Sequence, residues 1–147
     1  MATATATAPP VEFSQYQGEK QLAELVKLID KDLSEPYSVF TYRFFLYNWP
    51  ELCVLARVQH KLVGADAAVQ QSDEQQGQGQ PQRWRGYIAM LAVEQNSRHR
   101  GIGSQLAQRA IDRMKAAGCE EVTLETEIDN RGAIRLYENL GFVIHER

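Results

Sequence analysis

The residues with the clearest chemistry form a short turn that carries two arginines and two glycines. Arg98 and Arg100 stand on either side of His99, and Gly101 and Gly103 follow. Glycines at a helix start let an anion approach unpaired backbone N–H groups at the positive end of the helix dipole. Arginine side chains add positive charge beside them. The spacing predicts a site for a phosphate or diphosphate, with an ordinary strand-to-helix turn as the alternative.

Two familiar nucleotide sites are not matched by this turn. No Gly-Lys-Ser/Thr sequence follows it, although the phosphate loop of nucleotide hydrolases requires one. Leu106 occupies the place of the third glycine in the dinucleotide-binding fingerprint. Neither class of site is therefore predicted.

The residues on either side of the turn predict a strand before it and a helix after it. Tyr87 to Val93 is an almost continuous apolar run, as expected for a strand covered on both faces. After the turn, apolar or small residues recur at helical spacing, and Gly118 is placed to end the helix. This helical row consists of Ile102, Leu106, Ala110, Ile111 and Met114.

Three more helices are predicted from spacing and end signals. A first amphipathic helix follows Gly18, and Pro36 prevents its continuation. A second, aromatic helix ends at Pro50. A last helix can be capped by Asn130 and stopped by Gly141. The apolar positions of the first helix are Leu22, Leu25, Val26, Ile29 and Leu33.

Aromatic residues are concentrated between Tyr37 and Trp49, which contain seven of the chain's 13. A helix buried under a sheet explains only part of this set. The others predict an apolar wall at a binding cleft, or a contact with another subunit.

The remaining strands are predicted from apolar runs and alternation. Leu52 to Val58 and Leu62 to Gln70 predict a hairpin joined at residues 59–61. Glu121 to Ile128 alternates, which predicts a strand with one polar face, and Phe142 to His145 predicts the start of a last strand.

The domain boundaries follow from composition. Residues 1–12 lack large apolar groups, so they are predicted to be a disordered tail before one domain at 13–147. Residues 71–82, rich in Gln and Gly, predict a low-complexity loop without chemistry.

Composition excludes several classes of protein. A net charge of −3 argues against general binding of DNA or other nucleic acid. Cys53 and Cys119 are predicted to be inert reduced thiols, which fits a cytoplasmic protein. No run of 18 apolar residues predicts a membrane span, no metal-ligand cluster is recognised, and residues 1–10 do not resemble a signal peptide.

Three stretches together resemble the GCN5-related N-acetyltransferase (GNAT) family. Arg98-x-x-Gly101-x-Gly103 after an apolar strand is similar to the family's pyrophosphate-binding signature. Residues 130–142, Asn-Arg-Gly-Ala-Ile-Arg-Leu-Tyr-Glu-Asn-Leu-Gly-Phe, resemble its second signature. Residues 34–43, Ser-Glu-Pro-Tyr-Ser-Val-Phe-Thr-Tyr-Arg, are similar to N-terminal acetyltransferases of the NatC type. The resemblance covers roughly residues 15 to 147.

The resemblance implies a mixed α/β fold, with a central sheet of about six strands flanked by four helices. The sequence ends at Arg147, where the family usually continues into another strand. We therefore expect the usual last strand to be missing through truncation, leaving an exposed strand edge.

The resemblance also implies the enzyme activity, which is acetyl transfer from acetyl-CoA to an amine. Glu125 matches by position a general base of related enzymes, and its alternative role is a solvated carboxylate beside Glu121 and Glu127. Tyr137 matches the family's general acid, although its row with Ala133 and Leu140 would also suit a core tyrosine. Neither cysteine is expected to form a thiol intermediate.

Two sets of binding residues follow from the resemblance. Acetyl-CoA is expected to contact Leu91, Ala92, Val93, Arg98, Arg100, Gly101, Ile102, Gly103, Ser104, Asn130 and Ala133, with an oxyanion-stabilising N–H near Leu91 to Val93. The peptide is expected to contact Glu35, Pro36, Tyr37 and Tyr87, although Glu35 would alternatively be a cap or a solvated turn residue.

The NatC resemblance implies N-terminal peptides of nascent proteins that begin with Met and a large apolar residue. It further implies a large scaffolding subunit, a small auxiliary NatC subunit and the ribosome as partners. Two alternatives are a lysine or small-amine acetyltransferase of the same fold, and a CoA-binding module without catalysis.

Overall fold

The computed structural model describes residues 8–31, 33, 35–72, 83–127 and 129–145. The secondary-structure elements are β1 (Val11–Gln15), α1 (Leu22–Asp30), α2 (Val39–Asn48), β2 (Val54–Val58), β3 (Lys61–Ser72), β4 (Trp84–Val93), α3 (Ile102–Ala116), β5 (Cys119–Leu124) and α4 (Arg131–Asn139). Short 3-10 turns lie at Glu19–Gln21, Pro50–Leu52 and Gln95–Ser97.

The strands form one mixed sheet in the order β1-β2-β3-β4-β5. The first three pairs are antiparallel, and β4 pairs with β5 in parallel. A parallel pair needs a crossover connection, and α3 supplies it. The predicted mixed α/β architecture with four helices is confirmed.

The helices cover both faces of the sheet, which explains the apolar run of β4. On one face, Leu25 of α1 and Tyr42 of α2 are buried in one cluster with Met90 of β4. On the other face, α3 buries its apolar row, including Leu106 and Met114. The three-layer arrangement places β4 between the two cores.

Two glycines let α3 approach the sheet closely. A Cβ built on Gly86 would lie 2.3 Å from the Met114 sulfur, and one on Gly64 would lie 2.9 Å from Cδ1 of Leu106. Both distances are too short for a real contact, so the side chains of α3 occupy the space above β3 and β4. This packing fixes the start of α3 beside the end of β4.

Several predicted strand boundaries were wrong. The strand predicted from Glu121 to Ile128 begins at Cys119 and ends at Leu124, so Glu125 follows it, while Ile128 lies outside the described residues. The hairpin strand predicted from Leu52 begins at Val54, because Pro50–Leu52 forms a 3-10 turn. Strand β3 continues to Ser72, which pairs with Trp84, and residues 73–82 of the predicted loop lie outside the described part.

The two ends of the chain also differ from expectation. Strand β1 begins at Val11, inside the predicted tail, because Val11 pairs with Val58 and adds an edge strand to the sheet. Residues 142–145 form no strand, since Phe142 packs its ring against Tyr137 instead. The described residues therefore form five strands, whereas about six were predicted.

No helix among the described residues has both the length and the apolar character that a bilayer crossing requires.

Candidate active site

The turn between β4 and α3 presents backbone N–H groups that the helix does not use. Gly101 is the N-cap with φ of 76°, and no side chain caps the helix. The first backbone hydrogen bond at this helix start runs from the Gln105 N–H to the Gly101 carbonyl at 3.0 Å. The N–H groups of residues 102–104 therefore have no acceptor within the helix, as in known anion sites.

Two glycines shape this turn for different reasons. Gly101 has open space around it, since the nearest atom to an added Cβ would be 3.9 Å away, but its left-handed φ disfavours other residues. Gly103 lies where β4, α3 and α4 meet, and a Cβ there would be 3.3 Å from Leu136 and 3.6 Å from Val93. Gly101 allows the left-handed backbone conformation of the turn, and Gly103 allows β4, α3 and α4 to pack closely.

The two arginines of the turn do not point to the same place. Arg98 donates from Nε to the Val93 carbonyl at 3.2 Å, which ties the turn to the end of β4. Arg100 donates from Nη2 to the Pro9 carbonyl at 2.8 Å. The sequence carried no signal for this second contact, because the two residues are 91 positions apart.

Strand β4 has an open edge beyond its pairing with β5. The parallel pair ends at Ile88 and Leu124, and no strand in the described part of the chain pairs with residues 89–93 on that side. Ala89 bulges out of the β3 pairing, because Ala67 pairs with Met90 while Ala68 pairs with Ile88. A bulge bends its strand, so β4 is expected to bend away from β5 just after their last paired residues. We call residues 89–93 the open edge.

Hydrogen-bond alternation decides which residues of the open edge are available. The Glu94 N–H donates to the Val63 carbonyl of β3 at 2.7 Å. In an antiparallel pair, successive residues point their N–H and C=O groups to opposite sides. The backbone N–H and C=O groups of Leu91 and Val93 therefore point away from β3. Those of Ala92 point towards Ala65. Of the three residues predicted to meet the cofactor there, Ala92 has its backbone groups committed to the sheet.

Tyr137 lies on α4 with its hydroxyl available. The Asn130 side chain caps this helix by accepting from the Ala133 N–H at 3.2 Å. The Tyr137 ring is half-buried and contacts the Phe142 ring edge-on, with centroids 5.8 Å apart. Burial raises the pKa of Tyr137, and its hydroxyl has no hydrogen-bond partner among the described residues. A protonated phenol is thus held at neutral pH with a proton to give.

Glu125 and Tyr37, from two other parts of the chain, each lie within electrostatic range of Tyr87. Burial raises the pKa of Tyr87, and the charges of Glu125 and then Tyr37 raise it further. Tyr87 pairs with Thr123, which places it next to the end of β5, and Glu125 follows that end. The Glu125 side chain is exposed at this position.

The predicted bend before α2 is exposed. Ser38 caps α2 by accepting from the Thr41 N–H at 3.2 Å, and Tyr37 packs edge-on against Tyr42 with centroids 5.9 Å apart. Glu35 and Pro36 are exposed, and no contact with another described residue assigns Glu35 a role. Of the aromatic set, Tyr42 is buried and Phe45 and Trp49 are half-buried. Tyr37, Phe40, Phe44 and Tyr47 are exposed.

The thiols are poorly suited to nucleophilic chemistry. Burial raises the pKa of Cys53 and of Cys119, so both are protonated at neutral pH. Among the described residues no group of three His, Cys, Asp or Glu side chains could hold a metal ion.

Comparisons with known proteins agree with this geometry. Residues 22–142 match the acetyltransferase (GNAT) family. N-alpha-acetyltransferase 30 of Xenopus laevis is 47% identical over 137 residues, which are 93% of this chain and 48% of that protein. N-alpha-acetyltransferase MAK3 of Arabidopsis thaliana is 48% identical, with 93% of this chain and 68% of that protein covered.

A solved structure is also similar. It is the crystal structure of the NatC complex bound to Gag peptide and CoA, in which one chain has 39% identity and a TM-score of 0.84. The match covers 93% of this chain and 87% of that one. The chain spans less than half the length of the vertebrate relatives that it matches.

Proposed function

Because this chain belongs to the acetyltransferase (GNAT) family, we propose that it transfers an acetyl group from acetyl-CoA to the N-terminal amine of proteins. The observation that carries the proposal is a main-chain anion site at the end of β4 beside an open strand edge, with an available phenol on α4 and a carboxylate that follows β5, the strand paired with β4. Relatives of 47% and 48% identity named as N-alpha-acetyltransferases support it.

The cofactor-binding groups of this chain fit CoA. The three N–H groups of residues 102–104 suit a diphosphate, and Arg100 adds charge beside them. The C=O of Leu91 and the N–H of Val93 suit the amide groups of a pantetheine chain, because they can pair with it as they would with another strand. When bound, acetyl-CoA supplies an acetyl group activated as a thioester.

Two side chains move the protons. A free α-amino group has a pKa of about 7.7–8.0, so a fraction is already neutral at pH 7. Glu125 accepts the remaining proton through water, which frees the nitrogen lone pair to form the new bond to the acetyl carbon. The N–H of Leu91 stabilises negative charge on the carbonyl oxygen. Tyr137 donates its proton to the sulfur as the carbon–sulfur bond breaks.

The peptide end lies between the bend and β4 in this proposal. Glu125 and Tyr37 lie near Tyr87, and Glu35 and Pro36 are exposed on the bend. An aromatic surface favours a large apolar second residue after Met, which is the NatC preference. Asn130 and Ala133 contribute by capping α4 and so placing Tyr137.

We also infer NatC partners for this chain. The related solved chain belongs to a NatC complex, and the exposed rings of Phe40, Phe44 and Tyr47 offer an apolar surface for another subunit. A large scaffolding subunit, a small auxiliary subunit, the ribosome and a cytoplasmic location belong to this proposal through the family resemblance.

The test is a CoA-release assay over peptides that begin with Met and differ at the second residue. We expect faster release with Leu, Ile, Phe or Trp than with Ser or Asp at that position. Free polyamines and peptides with a blocked α-amine but free lysines should give none. Equal rates on lysines or polyamines would favour a lysine or small-amine acetyltransferase, and tight CoA binding without turnover on any amine would favour a non-catalytic CoA-binding module.

A further inference from the structure

The segment before β1 contacts the turn that carries the proposed diphosphate site. The Pro9 carbonyl accepts a hydrogen bond from Nη2 of Arg100 at 2.8 Å. Arg100 is exposed and immediately precedes Gly101, the N-cap of α3. The main-chain oxygen of Pro9, 91 positions earlier in the sequence, is therefore hydrogen-bonded to a cationic side chain beside three available N–H groups.

The Pro9 carbonyl is held in place by the structure that follows it. Val11 pairs with Val58, and the five residues of β1 continue this pairing along β2. The guanidinium of Arg109 lies 4.1 Å from the centre of the Phe13 ring, a cation–π contact that ties β1 to α3. Pro10 restricts the backbone between Pro9 and the strand. Arg100 thus meets an acceptor whose position is fixed.

A carbonyl occupies one of the five N–H donors of an arginine and leaves its charge unchanged. Among the described residues Arg100 has no second acceptor. The remaining donors are available to an anion. An arginine side chain loses considerable rotational freedom when it binds a ligand, and a side chain already held by one hydrogen bond loses less.

We propose that the Pro9 carbonyl is a positioning group for Arg100, which it holds ready to bind a phosphate group of CoA. This inference rests on the proposed function, because it takes CoA as the anion. Arg100 is the residue that touches the ligand, and Pro9 acts through it. The N-terminal segment thereby becomes part of the cofactor site without contacting the cofactor itself.

The experiment measures CoA affinity by calorimetry on the full chain and two deletions. Deletion of residues 2–10 joins Met1 to Val11 and removes the Pro9 carbonyl while keeping β1. Deletion of residues 2–6 is the matched control, because it shortens the same segment and keeps Pro9 and Pro10. We expect the longer deletion to weaken CoA binding about threefold to tenfold and the shorter one to leave it unchanged.

A double-mutant cycle separates positioning from a general loss of structure. In the Arg100→Ala background, the longer deletion should have no further effect on CoA affinity, because the group through which Pro9 acts is gone. With the longer deletion the KM for acetyl-CoA should rise while kcat stays constant. 3′-Dephospho-CoA identifies the phosphate: if the effect of the deletion disappears with this ligand, Arg100 binds the 3′-phosphate, and if it remains, Arg100 binds the diphosphate.

Additive losses in the cycle, or equal affinities for the two deletions, would overturn the inference. Thermal unfolding without ligand reports whether β1 has been disturbed, and the cycle remains decisive if the melting temperature falls. If the full chain itself bound no CoA, the proposed function would fail. If the full chain bound CoA and the longer deletion left the affinity unchanged, the proposed function would stand and only the role of Pro9 would be rejected.

Discussion

The two sides of the open edge of β4 are built from different kinds of groups. On the cofactor side, the available donors are backbone N–H groups of residues 91, 93 and 102–104, fixed by one strand and one helix. On the proposed amine side, the groups are side chains of Tyr37, Tyr87, Glu125 and Tyr137, which come from four separate parts of the chain.

This difference separates binding from chemistry. Main-chain donors cannot be removed by changing a side chain, so the cofactor side, apart from Arg100, should be sensitive only to changes that move the backbone. Proton transfer needs groups with particular pKa values, which only side chains supply. Substitutions on the amine side should therefore lower turnover, and substitutions that disturb the turn should weaken CoA binding.

The largest expected effect is that of Tyr137→Phe on turnover. The change removes one hydroxyl and almost no volume, so kcat should fall about 100-fold while CoA affinity stays the same. Tyr16→Phe is the control, since the Tyr16 hydroxyl is buried and, like that of Tyr137, has no partner in the described structure. That variant should keep full activity and equal or higher stability. Equal losses of kcat and CoA affinity in Tyr137→Phe would contradict the separation of the two sides.

The next effect is that of Gly101→Ala on CoA binding. A left-handed φ costs an alanine roughly 1–2 kcal/mol, so the turn should shift and CoA affinity should fall about tenfold, with kcat at saturation nearly unchanged. Gly118→Ala is the control at the other end of the same helix. Its φ is 94°, and its Cβ would also meet open space. Both variants should lose similar stability in thermal unfolding. A comparable loss of CoA affinity in Gly118→Ala would show that helix strain alone explains the result.

A smaller effect is expected for Glu125→Gln, because the substrate amine is already partly neutral. At pH 7 we expect kcat/KM to fall roughly tenfold, as suits a modest base. As the pH rises above the amine pKa of about 8, the amine loses its proton without help and the deficit should shrink. Glu127→Gln removes a neighbouring exposed carboxylate and should change little. A deficit that stayed constant up to pH 9.5 would exclude Glu125 as the base.

The smallest effect on activity is expected for Asp66→Asn, which tests the core that supports the cofactor side. Asp66 is fully buried on β3, its Oδ1 accepts from the Val54 N–H at 3.0 Å, and its Oδ2 has no partner in the described structure. Burial raises its pKa well above the usual value, against smaller opposing contributions from Val54 and Arg113. The folded state therefore holds this proton more tightly than the unfolded state.

The sign of the pH dependence follows from that shift. Above pH 4 the unfolded carboxyl ionises while the folded one does not, so Asp66 lowers the free energy of unfolding as the pH rises. Asparagine cannot ionise, and it keeps an oxygen for Val54. The melting temperature of Asp66→Asn should exceed that of the natural chain by a few degrees at pH 8 and by much less at pH 4. Asp112→Asn, an exposed change, should show no such trend, and a gap independent of pH would contradict this explanation.

The same division between main chain and side chains explains what the sequence could predict. The helix start at Gly101 and the cap at Asn130 depend on a few neighbouring residues, so their local patterns were sufficient. The approach of Tyr37 and Glu125 to Tyr87 depends on the whole fold, and only the family resemblance pointed to it.

Other features had no local signal. The bulge at Ala89 lies in a continuous apolar run, where a change of register leaves no trace in the pattern. Strand β1 is only five residues long and follows two prolines, so its sequence did not clearly indicate an edge strand. The bond between Arg100 and Pro9 joins residues 91 positions apart in the sequence. Each of these three features depends on how several strands are placed relative to one another in the fold.

The most direct test of the central claim is an amide chemical-shift titration of the full chain with CoA. If the main chain beside β4 and at the start of α3 holds the cofactor, the largest shifts should be those of Leu91, Val93, Ile102, Gly103 and Ser104. The amide shifts of Phe40, Phe44 and Tyr47, on the exposed surface of α2, should change little until a Met-Leu peptide is added. Largest shifts at another place in the fold, with the amides of 102–104 unaffected, would contradict the account.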